Sequence, residues 1–147
     1  MTTTERVDLD DDEAFATFHH VYTQARDRDV DQPYSATEKR VGMRPDAYVD
    51  KVVLLARDDD GTPVAGGTAE LPLRDNTRFV YVDVFTAPDH RRSGHGASVI
   101  EALEEIGRDA DRSILYGEAV WELDAVPRAA GVLRSGRVPS RPHGRHA

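Results

Sequence analysis

The chain has 147 residues and no cysteine. That length suits one domain with a real core. The missing cysteines exclude disulfides, thiolate nucleophiles and Cys-ligated zinc. Apolar residues make up 39% and charged residues 31%, a globular composition, and the longest apolar run, Val52 to Ala56, is too short to span a bilayer. Nineteen basic against 27 acidic side chains leave a net charge of −8. A surface of that sign repels phosphate backbones, so neither nucleic acid nor membrane is an expected partner. Met1 to Glu5 shows no basic-then-apolar leader, and a cytoplasmic location is expected.

The charge is unevenly spread. Residues 1–125 hold 14 basic and 27 acidic side chains, whereas residues 126–147 hold five arginines and no acid. This break sets the expected domain organisation: a folded domain over 1–125 and an Arg/Pro/Gly-rich, disordered tail over 126–147.

In chain order, Val7 to Leu9 reads as a short strand. Asp10-Asp11-Asp12-Glu13 places acids where a helix starts, which suits both capping and the helix dipole. Phe15, Phe18, Tyr22 and Ala25 follow at helical spacing and predict a helix over about 12–27. Residues 28–50 are polar, with a short helix over Ser35 to Val41. A buried strand over 51–57, a turn at Asp58-Asp59-Asp60-Gly61, a second strand from Pro63 to Leu73 bent at Gly66-Gly67, and a third from Phe79 to Thr86 read as an antiparallel meander. A helix from Ala97 to Ala110 carries Val99, Ile100, Leu103 and Ile106 on one face. Ser113 to Val120 is a fourth long strand, parallel to the one before the helix if the crossover is right-handed.

Chemistry concentrates in the strand–loop–helix of residues 79–110. Gly94 and Gly96 lie in a loop that opens directly into a helix. Glycine lets the backbone turn sharply and approach a ligand. The first helical turn offers unpaired N–H groups and a positive dipole end, which together make an anion site. Arg91 and Arg92 add positive charge beside it, so a phosphate or pyrophosphate is expected on the backbone of residues 92–97. Two common phosphate motifs fail on their own requirements. The dinucleotide pattern needs a third glycine where Val99 stands, and the nucleotide-triphosphate loop needs a lysine, of which there is none after Lys51.

Arg91-x-x-Gly94-x-Gly96, following the strand Val82-Asp83-Val84-Phe85 and Thr86-Ala87-Pro88, resembles the acetyl-CoA motif of the GNAT acetyltransferases. The order of elements over about residues 5–120 is similar to that α/β fold. It is a mixed sheet with an antiparallel meander and then strand–helix–strand around a cofactor loop. Val82 to Phe85 and the acidic first helix resemble the first domain of bacterial tandem-GNAT proteins. The resemblance implies a cofactor, acetyl-CoA, held by Val84, Phe85, Thr86, Arg91, Arg92, Ser93, Gly94, His95, Gly96 and Ala97. The main chain of Val84 and Thr86 would pair with the pantetheine arm like an added strand. A backbone N–H near Val84 would polarise the thioester carbonyl. The acetyl group would pass directly to an amine of a small molecule or protein, with Asp83 or Glu70 as general base.

The family's closing helix and two further strands have no counterpart in the composition of residues 126–147. No aromatic residue follows Trp121, so no tyrosine is available there to protonate the leaving thiolate. The C-terminal strands are therefore expected to be missing. This leaves open an alternative function as a non-catalytic acyl-CoA-binding or interaction module. It also leaves open a sheet completed by a homodimer or by a second GNAT domain. The acidic character of residues 28–50 favours a cationic acceptor. His19 and His20 point apart on their helix and make no shared metal site. The triple aspartate has the wrong residues at a calcium loop's first and last positions, Ala56 and Gly67, and reads as a hairpin turn.

Overall fold

The computed structural model describes residues 1–25 and 34–117 together with the backbone of Gly136–Arg137. The order of elements is β1 (Thr3–Arg6), α1 (Asp12–Ala25), α2 (Ala36–Gly42), β2 (Val49–Arg57), β3 (Pro63–Pro72), β4 (Phe79–Thr86), a 3₁₀ turn (Pro88–His90), α3 (His95–Asp109), β5 (Ile114–Gly117) and β6 (Gly136–Arg137). The sheet runs β1-β2-β3-β4-β5-β6. Every neighbouring pair is antiparallel except β4 and β5, which are parallel. They are joined through α3, as a crossover between parallel strands requires.

The acids at the start of α1 act as expected: Asp11 accepts the Ala14 N–H at 3.1 Å, and Asp12 and Glu13 occupy the first turn. Phe15, Phe18, Val21 and Tyr22 turn inward on that helix. α2 opens on a capping box, in which Ser35 and Glu38 satisfy each other's backbone N–H groups. At the β2–β3 hairpin, Asp58 accepts the N–H groups of Asp60 and Thr62 at 2.9 and 3.0 Å, and Gly61 has φ +81°. The aspartate run forms the hairpin turn.

The two faces of the sheet bury separate clusters. Val52, Leu54, Ala69, Leu71, Val80, Val82, Val84 and Leu115 pack with Val99 and Leu103 of α3. Val53, Leu55 and Phe85 pack on the other face with Phe15, Phe18, Val21 and Tyr22 of α1 and Met43 beyond α2. The alternation of side chains along each strand produces this division.

Several boundaries differ from the sequence reading. The first strand is Thr3–Arg6 rather than Val7–Leu9, because the pairing with β2 is what defines it, and it continues only as far as the Val7 N–H to the Val53 carbonyl at 2.8 Å. α3 begins at His95, two residues early, so Gly96 lies inside the helix. The pairing of β3 with both neighbours runs without a shift through Gly66 and Gly67, and the irregularity falls at Ala56/Arg57 instead. The two glycines serve close approach. A Cβ on Gly66 would sit 2.9 Å from the Phe85 ring, and one on Gly67 would sit 2.7 Å from Val99 Cγ1 and 3.0 Å from the Asp83 carbonyl. The sequence places no strand in the tail, yet Gly136–Arg137 pairs with Ile114 and Leu115. The predicted ends of the first helix and the last long strand, and the rest of the tail, lie outside the described residues.

Candidate functional site

The site is built at the C-terminal end of β4. Its register with β5 runs from Phe79↔Ile114 to Val82↔Gly117 and no further among the described residues. The Ala87 N–H donates to the Val64 carbonyl at 2.8 Å, which turns Ala87 toward β3. Backbone groups alternate sides along a strand. Val84 and Thr86 therefore present their N–H and C=O groups away from β3, on the β5 side, past the last described pair.

The chain then makes its 3₁₀ turn and passes through two left-handed residues, Arg92 (φ +67°) and Gly94 (φ +85°). Gly94 is the N-cap of α3, and the first intrahelical bond runs from the Ser98 N–H to the Gly94 carbonyl at 3.0 Å. The N–H groups of His95, Gly96 and Ala97 precede that bond and have no intrahelical acceptor. No acidic side chain occupies this first turn, unlike that of α1. An ideal Cβ on Gly96 would lie 3.2 Å from Thr86 Oγ1, so the glycine lets the helix start against the end of β4. This combination of left-handed turns, a glycine-seated helix start and no competing carboxylate fits a pyrophosphate.

Arg91, expected beside the phosphates, folds back on the protein. It donates from Nε to the Thr86 carbonyl and from a terminal nitrogen to the Ala25 carbonyl, both at 3.1 Å. Arg92 and Ser93 are exposed. The His95 ring is held by the Thr2 hydroxyl at 2.8 Å, so this residue offers the loop its backbone rather than its imidazole. The Val84 side chain is in the α3 cluster and that of Phe85 in the α1 cluster. The sequence carries no signal for these ties, because Thr2 and Ala25 lie 93 and 66 residues from their partners in the chain.

The two candidate bases share a face. Thr68 pairs with Asp83 and Glu70 with Tyr81, so Glu70 and Asp83 are diagonal neighbours across β3 and β4 on the side that α1 partly covers. Thr68 is 4% exposed. Tyr81 pairs with Tyr116, and Phe79 with Ile114. This row of rings was not legible as a unit in the sequence. Asp46, in the turn before β2, accepts the N–H groups of Tyr48 and Val49 at 2.7 and 2.9 Å, which hold its carboxyl below the usual range. Burial lowers the Arg112 pKa from its ordinary value; its guanidinium staples the Pro72 carbonyl at 2.6 Å.

Two surface cavities lie among the described residues, the first beside the turn that directly follows β4. One of about 520 Å³ sits between α1 and the 3₁₀ turn, lined by Thr17, His20, Gln24, Thr62, Asp89 and His90. A smaller one of about 270 Å³ lies between the β1–α1 connection and Met43–Pro45. His19 turns from His20 to bond the Tyr34 carbonyl at 2.9 Å, and no metal-binding cluster occurs among the described residues.

The acetyltransferase (GNAT) family model matches residues 12–124. The chain belongs to the GNAT acetyltransferase family. No curated protein sequence matches it. Among solved structures, this GNAT chain is similar to a tandem GNAT protein from the clavulanic acid biosynthesis pathway, with a TM-score of 0.72 at 20% identity over 90% of the chain. It spans 42% of that protein's length. The ribosomal-protein-S18-alanine N-acetyltransferase of Escherichia coli gives a TM-score of 0.66 at 15% identity, covering 90% of this chain and 74% of that one. An aminoglycoside acetyltransferase from an uncultured soil metagenomic sample, solved with sisomicin, gives 0.64 at 15% identity, covering 88% and 82%. At these identities the likeness is one of fold. No helix among the described residues is long and apolar enough to cross a membrane.

Proposed function

We propose that this GNAT chain is an acetyl-CoA-dependent N-acetyltransferase of the cytoplasm that moves the acetyl group directly to an amine. The observation that carries the reading is the β4–α3 junction. The strand edge at Val84 and Thr86, beyond the last described β4–β5 pair, runs into left-handed turns at Arg92 and Gly94 and then into a helix start free of acid. Bound acetyl-CoA would supply an activated acetyl thioester. The N–H groups of His95, Gly96 and Ala97 would hold pyrophosphate oxygens, with Arg92 and Ser93 at the rim. The Val84 and Thr86 main chain would align the pantetheine arm, and the Val84 N–H would donate to an acyl oxygen. The Thr86 carbonyl is already an acceptor for Arg91, so the arm would share or replace that bond.

The acceptor arrives as an ammonium and must lose a proton before it can attack. Asp83, on the strand that carries Val84, and Glu70, its diagonal neighbour, are the groups that would take that proton, directly or through water. With no cysteine, the chain has no thiol to carry an acyl intermediate.

Calorimetric titration with acetyl-CoA tests the site, with Gly94→Glu as control. Micromolar binding by the parent and none by the folded variant is expected, because the added carboxylate repels pyrophosphate. No binding by the folded parent overturns the reading. Binding without thiol release across a pool of amines supports instead the non-catalytic acyl-CoA-binding module.

A further inference from the structure

We propose that Arg91 is a positioning residue that couples the pantetheine arm of acetyl-CoA to the C-terminal end of α1, and that it is not a ligand of the phosphates. This rests on the acetyl-transfer reading and deepens it at the cofactor site. Arg91 stands three residues before Gly94, where a cation would reach the phosphates. Its guanidinium is engaged elsewhere. Nε donates to the Thr86 carbonyl and a terminal nitrogen to the Ala25 carbonyl, each at 3.1 Å. The acceptors lie five and 66 residues away, on β4 and on α1. The planar fork of a guanidinium fixes its donors relative to one another, so the two bonds set the separation of the two elements. To bind a phosphate, Arg91 would have to leave both carbonyls, whereas Arg92, next in the chain, is exposed.

Both ends of this tie bear on the site. Thr86 is the last residue of β4, and its carbonyl faces away from β3, on the side where the arm would pair. α1 touches the same strand through its rings: Phe18 and Tyr22 meet Phe85 edge-on at 5.6 and 5.5 Å between centroids. Phe85 lies between Val84 and Thr86, the residues that would align the arm. α1 in turn holds the start of α2. The Tyr22 hydroxyl accepts the Tyr34 N–H at 3.0 Å, and His19 bonds the Tyr34 carbonyl at 2.9 Å, directly before the Ser35 cap. A carbonyl oxygen has two lone pairs, so Thr86 can accept an amide N–H of the arm while keeping Arg91. A Thr86 carbonyl fixed by the arm fixes Arg91, and Arg91 fixes the end of α1. Linkage makes the effect reciprocal: holding the end of α1 tightens the arm by the same factor.

The test follows amide hydrogen exchange of the α1 peptides in the parent without ligand, with saturating acetyl-CoA, and with saturating 3′-phospho-ADP, the nucleotide half of the cofactor without its arm. Acetyl-CoA is expected to slow exchange in the last turn of α1, and the nucleotide half is not. Calorimetry of both ligands then compares the parent with Arg91→Ala and Arg91→Lys. Arg91→Ala should weaken acetyl-CoA about fivefold, the low end of coupling between sites because both bonds are exposed, and leave the nucleotide half within about twofold. Arg91→Lys keeps the charge without the fork and should follow Arg91→Ala, and neither variant should show slowed exchange with acetyl-CoA. Equal weakening of the two ligands by Arg91→Ala would make Arg91 a phosphate ligand and overturn the proposal. Full rescue by lysine overturns it too, and so does α1 exchange in the parent that acetyl-CoA leaves unchanged. The comparison of ligands on the parent needs no variant, so it decides the matter even where a substitution harms folding. Acetyl-CoA binding without slowed exchange sinks only the coupling, whereas no acetyl-CoA binding by the folded parent sinks the transferase reading and the coupling with it.

Discussion

At Gly67, β3 packs directly against Val99 and Leu103 of α3, and Gly67→Ala probes that packing. The new methyl would sit 2.7 Å from Val99 Cγ1, 3.0 Å from the Asp83 carbonyl and 3.3 Å from Leu103 Cδ1. Val99 and Leu103 are fully buried at 0% exposure, so neither can swing into solvent. The carbonyl is part of the β3–β4 ladder and yields less than a side chain would. Overpacking of this kind costs about 1–3 kcal/mol. Replacing glycine in a strand returns roughly 0.5–1 kcal/mol of backbone entropy. The expected net is a loss of about 1–2 kcal/mol, read as a lower urea midpoint at unchanged slope. Val99→Ala alone removes two buried methyl groups and costs roughly 1.5–3 kcal/mol. In the double variant the two losses should fall short of their sum by about 0.5–2 kcal/mol, since the alanine at 99 makes room for the one at 67. A Gly67→Ala variant as stable as the parent, or two losses that simply add, would refute the packing argument. Because the clash reaches the Asp83 backbone, the same variant should also weaken acetyl transfer more than acetyl-CoA binding.

Ser35→Ala removes the capping box of α2 and should cost about 1 kcal/mol in urea unfolding; an unchanged midpoint would mean that the Ser35–Glu38 bonds contribute nothing. The Asp46 carboxyl is held below its usual range by the Tyr48 and Val49 N–H groups. Its contribution is therefore present above the unfolded carboxylate range and is lost as pH falls through the folded value. Stability measured from about pH 6 down to about pH 3 should fall less steeply in Asp46→Asn than in the parent, and equal slopes would contradict the assignment. At Gly94 a Cβ would meet nothing within 4 Å, so only the φ of +85° penalises a side chain. Gly94→Ala should cost about 1–2 kcal/mol and Gly94→Asn clearly less; equal stability of Ala and Gly there would show that the loop does not need its left-handed turn.

Much of the architecture was legible in the order of residues. The period-two apolar pattern of Phe79 to Thr86 and the helical pattern of Val99, Leu103 and Ile106 each follow from local geometry that a sequence displays directly. The Arg91-x-x-Gly94-x-Gly96 spacing located the strand-to-helix junction, and Gly94 does adopt the left-handed turn that only glycine takes readily. The meander's pairing followed from short connections rich in turn residues. What the chain could not show was which distant groups meet. Gly66 and Gly67 look like a bend in sequence, but they are spaces for the Phe85 ring and for α3, because a missing Cβ has meaning only once the opposing surface is in place. Arg91 reads as a phosphate ligand from its neighbours alone, while the fold brings it the carbonyls of Thr86 and Ala25. Phe79, Tyr81 and Asp83 lie on β4, Tyr116 on β5 and Glu70 on β3. Strand register alone gathers them on one face, and register is decided by the burial of every side chain in the sheet at once.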